Sequence, residues 1–178
     1  MQTETSITGI VAAAATAGSF ALRVLRSVLE AEARKHNSGR LSELIESLRN
    51  DAERLAALAD EDGAVYAAYM RAQKAHSPRI QIALRRAVEI PMEAARLAAA
   101  GIDLCLETLD FLRGPMAADV GGAAVLLAGA VRAILCTVDT NLDAVEDQAF
   151  ARDTRSERAG IEQRAIRESD KALAALAR

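Results

Sequence analysis

Three consecutive carboxylates, Asp60, Glu61 and Asp62, interrupt an apolar stretch, with Leu55-Ala56-Ala57-Leu58-Ala59 before them and Ala64-Val65-Tyr66-Ala67-Ala68-Tyr69-Met70 after. Adjacent helical positions lie about 100° apart, so three in a row cannot share one face. Asp62, Tyr66 and Tyr69 fall on one stripe by spacings of four and three, which would set a carboxylate beside two phenols. Such a group can move a proton to or from a bound molecule. The same residues also read as a solvated acidic patch beside core tyrosines.

Asp119 has two readings as well. It can cap a helix N-terminus, a position Asp favours. It can also be a carboxylate where Gly121 and Gly122 let a ligand approach the backbone. Asn141, after Asp139-Thr140, is either a helix C-cap or a ligand-binding amide. His36, His76 and Lys35 sit at helix ends with no nucleophile beside them, which reads as surface or capping residues. No metal-ligand spacing and no phosphate loop stands out, so no metal and no cofactor are expected.

These residues must be held by helices. The chain has 178 residues, 51% hydrophobic but only 3% aromatic, so its apolar content is mostly Ala, Leu, Val and Ile. Ala and Leu favour helices, and no alternating strand pattern persists. A single all-α domain, an antiparallel helical bundle, is expected over residues 1–178.

Phe20, Val24, Leu25, Val28 and Leu29 mark a first helix from Thr8 or Gly9 to Lys35, and Ser42 opens a second that passes Gly63 to Lys74. A third starts near Ser77-Pro78 and carries Pro91 internally, which predicts a kink or restart there. After Arg113-Gly114-Pro115 a fourth starts at Asp119 and runs to Val138. Asp139-Thr140-Asn141 then forms a turn or cap, and residues 142–150 and 157–176 are helical.

The uncharged run 7–22 and the apolar run 120–131 are short for a membrane span and read as core helices, so no membrane partner is expected. A net charge of −3 offers no field for nucleic acid. Cys105 and Cys136 read as buried, reduced thiols, which implies a cytoplasmic location. The fourth helix is apolar nearly all round. It must be central or covered by a second subunit, and a homodimer is expected.

Four segments taken in order resemble the cyclodeaminase/cyclohydrolase family, which includes methenyltetrahydrofolate cyclohydrolases and the cyclodeaminase domain of formiminotransferase-cyclodeaminase. They are Leu58-Ala59-Asp60-Glu61-Asp62-Gly63-Ala64-Val65-Tyr66, Ala87-Val88-Glu89-Ile90-Pro91-Met92-Glu93-Ala94-Ala95, Ala118-Asp119-Val120-Gly121-Gly122-Ala123-Ala124 and Asn141-Leu142. The match spans residues 52–150.

The resemblance implies an all-α homodimer whose small-molecule ligand is a reduced folate, with a tetrahydrofolate derivative as substrate. It implies Asp62 and Asp119 as catalytic carboxylates, with Tyr66, Gly121, Asn141 and Gly9 binding substrate. The activity implied is hydrolysis of 5,10-methenyltetrahydrofolate to 10-formyltetrahydrofolate. The alternatives are an ammonia-releasing cyclodeaminase or cyclase on a non-folate substrate, and a non-catalytic helical dimer. One departure stands out. The family's Pro-Gly-Gly-Gly-Ser loop is replaced by Ser6-Ile7-Thr8-Gly9-Ile10-Val11-Ala12-Ala13, with Gly9 its one glycine. Asp139 also stands where many relatives carry a basic residue before the Asn.

Overall fold

A computed structural model describes residues 9–35 and 39–177. Among them are five helices and no strand: α1 Ile10–Ala33, α2 Gly39–Lys74, α3 Ile80–Phe111, α4 Pro115–Leu142 and α5 Gln148–Leu176. Short connections make consecutive helices antiparallel neighbours. Each of the four consecutive pairs packs together, and α1 also packs on α4, as α5 does on α3.

Small residues set how closely the helices approach. Gly18 of α1 lies where a methyl group would meet Leu55 of α2 at 3.5 Å and Ala130 of α4 at 3.7 Å. Gly101 of α3 is tighter, because a methyl there would fall 2.5 Å from Leu22 and 3.0 Å from Leu127. Leu22, Leu25, Leu55, Leu58, Ile102, Leu127 and Ile134 fill the space between these backbones, all fully buried. The Ser19 hydroxyl donates to the Ala52 carbonyl at 2.8 Å, so its burial leaves no donor unpaired.

The described parts of both apolar runs pack into the bundle, in α1 and α4. Each helix is long and apolar enough to cross a membrane, but 44% of the apolar window of α1 and 56% of that of α4 is buried by the other helices. A stripe of α4 stays uncovered, with Val125 43% and Leu126 47% exposed and Gly122 and Gly129 beside them. Phe20 of α1 is 62% exposed.

Several boundaries differ from expectation. Of the kink or restart expected at Pro91, only the restart is absent, since α3 runs through Pro91 as one helix. The next, α4, begins with Pro115 and not at Asp119, because Gly114 takes φ 82°, a backbone state that suits glycine, and a proline fits the first helical turn. Asp119 is therefore inside the helix and not its N-cap. The helix also continues through Asp139, Thr140 and Asn141 to Leu142, so these form its last turn and Asn141 is not the C-cap. Residues 143–147 leave helical geometry, and α5 starts at Gln148, capped by the Asp147 carboxylate, which accepts from the Phe150 N–H at 3.0 Å.

His76 ends α2 with φ 47°, and the next N–H, that of Ser77, reaches back to the Ala72 carbonyl at 2.9 Å. His76 is thus an exposed capping residue. His36 lies outside the described residues. Cys105 is buried as expected, and burial pushes its thiol up to about 12, whereas Cys136 is exposed.

Candidate functional site

The acidic triplet of α2 points three ways. Asp60 is exposed. Glu61 accepts from Arg54 at 2.5 Å, and the same guanidinium reaches Glu93 of α3 at 2.7 Å. Asp62 turns to a cavity of about 390 Å³ lined by Ile10, Asp62, Tyr66, Ala87, Cys136, Thr137, Thr140 and Asn141. Four helices therefore build it: the first turn of α1, the middle of α2, the second turn of α3 and the last turns of α4.

Asp62 has no hydrogen-bond or ion-pair partner among the described residues. Burial without a compensating charge holds its carboxyl above the ordinary aspartate range. Gly9, which precedes α1, lies close enough that a methyl on its Cα would sit 3.9 Å from Asp62 Oδ2. The carboxylate thus lies beside the N-terminal end of α1, where Gly9 supplies no side-chain cap and the helix dipole is positive. One turn along α2, Tyr66 brings its phenol to the cavity while staying 60% exposed.

On α4 the Asn141 amide donates to the Ala87 carbonyl at 2.8 Å, tying the last turn of α4 to α3. The Thr140 hydroxyl donates to the Cys136 carbonyl at 3.2 Å, which leaves its oxygen lone pairs open. The arrangement offers a desolvated carboxylate, a phenol, two hydroxyls, a thiol and an amide oxygen around an apolar wall. It can bind a flat, cationic or N–H-bearing group and exchange protons with it. Among the described residues no His, Cys, Asp and Glu cluster could hold a metal ion.

Four of the six residues singled out in the sequence, Asp62, Tyr66, Asn141 and Gly9, come together here. The other two do not within one chain. Asp119 is exposed near the start of α4, beside Phe20, Arg23, Val24 and Met116. At a rise of about 1.5 Å per residue it lies roughly 30 Å along the helix from Asn141. Gly121 is buried under the end of α5, where a methyl would fall 2.5 Å from Leu176 Cδ1, so it makes room for a side chain and not for a ligand. Tyr69 packs against the core and accepts from Gln73 at 3.5 Å, outside the cavity.

Ile10, Ala87, Cys136, Thr137 and Thr140 complete the wall and were not anticipated. The signal for the α4 residues was present, since polar groups at 136, 137, 140 and 141 interrupt an apolar helix at spacings that share one face. A larger hollow of about 560 Å³ lies at the opposite end of α1, lined by Glu32, Arg40, Leu44, Glu107 and Phe111 among others. Its Arg40 is already ion-paired with Glu107, and its Asp110 is exposed to solvent, unlike the half-buried Asp62.

The fold is shared with a solved protein. The crystal structure of formiminotetrahydrofolate cyclodeaminase from Thermotoga maritima superposes with a TM-score of 0.90 at 20% identity, over 97% of this chain and 89% of that one. No curated protein matches the chain. The family model for formiminotransferase-cyclodeaminase matches residues 3–160. That span takes in α1 to α4 and every wall of the cavity, and the chain belongs to the formiminotransferase-cyclodeaminase family.

Proposed function

We propose that the protein is a cyclohydrolase-like enzyme of one-carbon metabolism that hydrolyses 5,10-methenyltetrahydrofolate to 10-formyltetrahydrofolate at the Asp62 cavity. The observation that carries this reading is Asp62 itself, a half-buried carboxylate without a partner among the described residues, held beside a helix N-terminus in a family that acts on folates. Keeping such a group costs stability, and a use for it accounts for the cost.

In this reading the methenyl carbon, cationic between N5 and N10, sits against Asp62. The carboxylate takes a proton from water as its oxygen bonds to that carbon. The adduct then loses its hydroxyl proton as the carbonyl forms, the C–N5 bond breaks, and N5 takes up a proton. Overall the cation and one water give 10-formyltetrahydrofolate and one released proton. A carboxylate held above the ordinary aspartate range by burial is the stronger base, and its charge stabilises the cation before attack. Tyr66 and Asn141 orient the bound ring system, and Gly9 keeps the cavity mouth open beside the carboxylate.

The second reading is cyclodeamination, favoured by the family's own description and by the activity of the Thermotoga protein. There the ring closes on a formimino carbon and ammonia leaves, again beside a cationic carbon. Calorimetric titration with tetrahydrofolate and its methenyl and formyl derivatives tests both. Binding of the methenyl compound without ammonia release from the formimino compound supports hydrolysis. Ammonia release supports the second reading, and binding of none of these folates rejects both.

We further propose a cytoplasmic homodimer. The uncovered stripe of α4 includes Gly129, where two helices can approach closely. A two-fold axis at Gly129 would set Asp119 of the partner subunit opposite the Cys136 to Asn141 segment, so each cavity would gain the second carboxylate. Mixing Asp62→Asn and Asp119→Asn subunits would then restore turnover that neither variant has alone. A chain that sediments as a monomer at micromolar concentration, or mixing without recovery, would count against the shared site. Cell fractionation tests the location.

A further inference from the structure

Pro91 has no N–H, so the carbonyl four residues before it in α3 loses its ordinary helical donor. That carbonyl belongs to Ala87, a buried residue that lines the Asp62 cavity. Its replacement donor comes from another helix, because Asn141 Nδ2 of α4 lies 2.8 Å from the Ala87 oxygen. A carbonyl oxygen can only accept, so the chemistry fixes which end of the Asn141 amide faces it.

We infer that Pro91 is a positioning residue for the cavity: by freeing the Ala87 carbonyl it locks the Asn141 amide, so that Asn141 offers its oxygen to a ligand beside Asp62. Restoring an N–H at position 91 would hand the carbonyl back to α3 and let the Asn141 amide turn. The locked state sets two acceptors in the wall, Asp62 and the Asn141 oxygen, suited to a ligand edge bearing N–H groups or positive charge. This rests on the cavity as the ligand site, but the lock itself can be tested with no folate present.

The test compares wild type, Pro91→Ala, Asn141→Ala and the double variant. In the wild type one Asn141 side-chain amide proton exchanges slowly by NMR. In Pro91→Ala that protection is lost, and the backbone N–H that the substitution introduces becomes protected. Asn141→Ala alone leaves the Ala87 carbonyl without either donor and lowers the melting temperature, and adding Pro91→Ala restores much of the loss. The inference is overturned if the Asn141 amide signals are the same with and without Pro91. It is equally overturned if adding Pro91→Ala to Asn141→Ala restores none of the lost melting temperature, a comparison that needs only folded Asn141→Ala and double variants. Where the protein turns over a folate, Pro91→Ala raises KM several-fold with little change in kcat. A lock found by NMR in a protein inactive on folates would fault the proposed reaction and leave the lock standing.

Discussion

On one turn of α2, Glu61 shares Arg54 with Glu93 of α3 at 2.5 and 2.7 Å, whereas Asp62, the next residue, faces the 390 Å³ cavity with no partner among the described residues. The two carboxylates differ by one position and about 100° around the helix. Glu61 is spent on joining two helices, and its charge is already answered. Asp62 is half-buried and unanswered among the described residues, and a charge in that state is available to a ligand. Runs of like charge on a helix can thus divide between structure and chemistry, and burial and pairing decide which residue takes which part.

The largest expected break of this contrast is in turnover. Asp62→Asn is expected to slow conversion of the methenyl substrate by about 100-fold or more, the scale of a lost general base, whereas Glu61→Gln leaves turnover near wild type. Steady-state absorbance kinetics measure both. Equal losses in the two variants would erase the distinction.

Stability is expected to show the opposite pattern. Arg54→Ala strands two carboxylates and should cost about 0.2–1 kcal/mol in urea unfolding, a small value because the pair is partly solvated. Asp62→Asn should raise the melting temperature at pH 7. The sign follows from burial: a carboxyl whose folded pKa lies above its unfolded value of about 3.8 prefers the protonated form in the fold. The penalty of the ionised form is absent well below that value and grows as pH rises through the folded pKa. The advantage of the Asn variant is therefore small near pH 3 and larger at pH 7. An advantage that shrinks toward pH 7 would assign the shift to another cause.

The smallest effect concerns the thiols. Cys136 lines the cavity, and Cys105 is buried with its thiol pushed up to about 12, so alkylation at pH 8 should consume Cys136 alone. A ligand in the Asp62 cavity should slow that reaction. Mass spectrometry of the labelled peptides reads both results.

The sequence pattern made the helices legible because Ala and Leu at three-and-four spacing have few alternatives. Short family-like motifs singled out Asp62, Tyr66 and Asn141, and the shortened glycine loop singled out Gly9, all of which the fold brings to one cavity. Asp119 illustrates what stayed hidden. Its fit as an N-cap was plausible, but Gly114 and Pro115 supply the turn chemistry that starts α4 four residues earlier. Gly121 looked like room for a ligand and is filled by Leu176, which is far away in sequence. The bond from Asn141 to Ala87 also could not be read in advance, since it joins residues 54 apart that only the packing of α3 on α4 brings together. Contacts between distant segments depend on tertiary packing, and local spacing carries no record of them.

The central claim is that the Asp62 cavity turns over a reduced folate. It is tested most directly by following methenyl absorbance at fixed pH with wild type, Asp62→Asn and Glu61→Gln at equal concentration. The expected result is decay faster than the buffer alone with wild type and Glu61→Gln, and decay near the buffer rate with Asp62→Asn. Decay at the buffer rate with all three, or acceleration by Asp62→Asn equal to wild type, would contradict it.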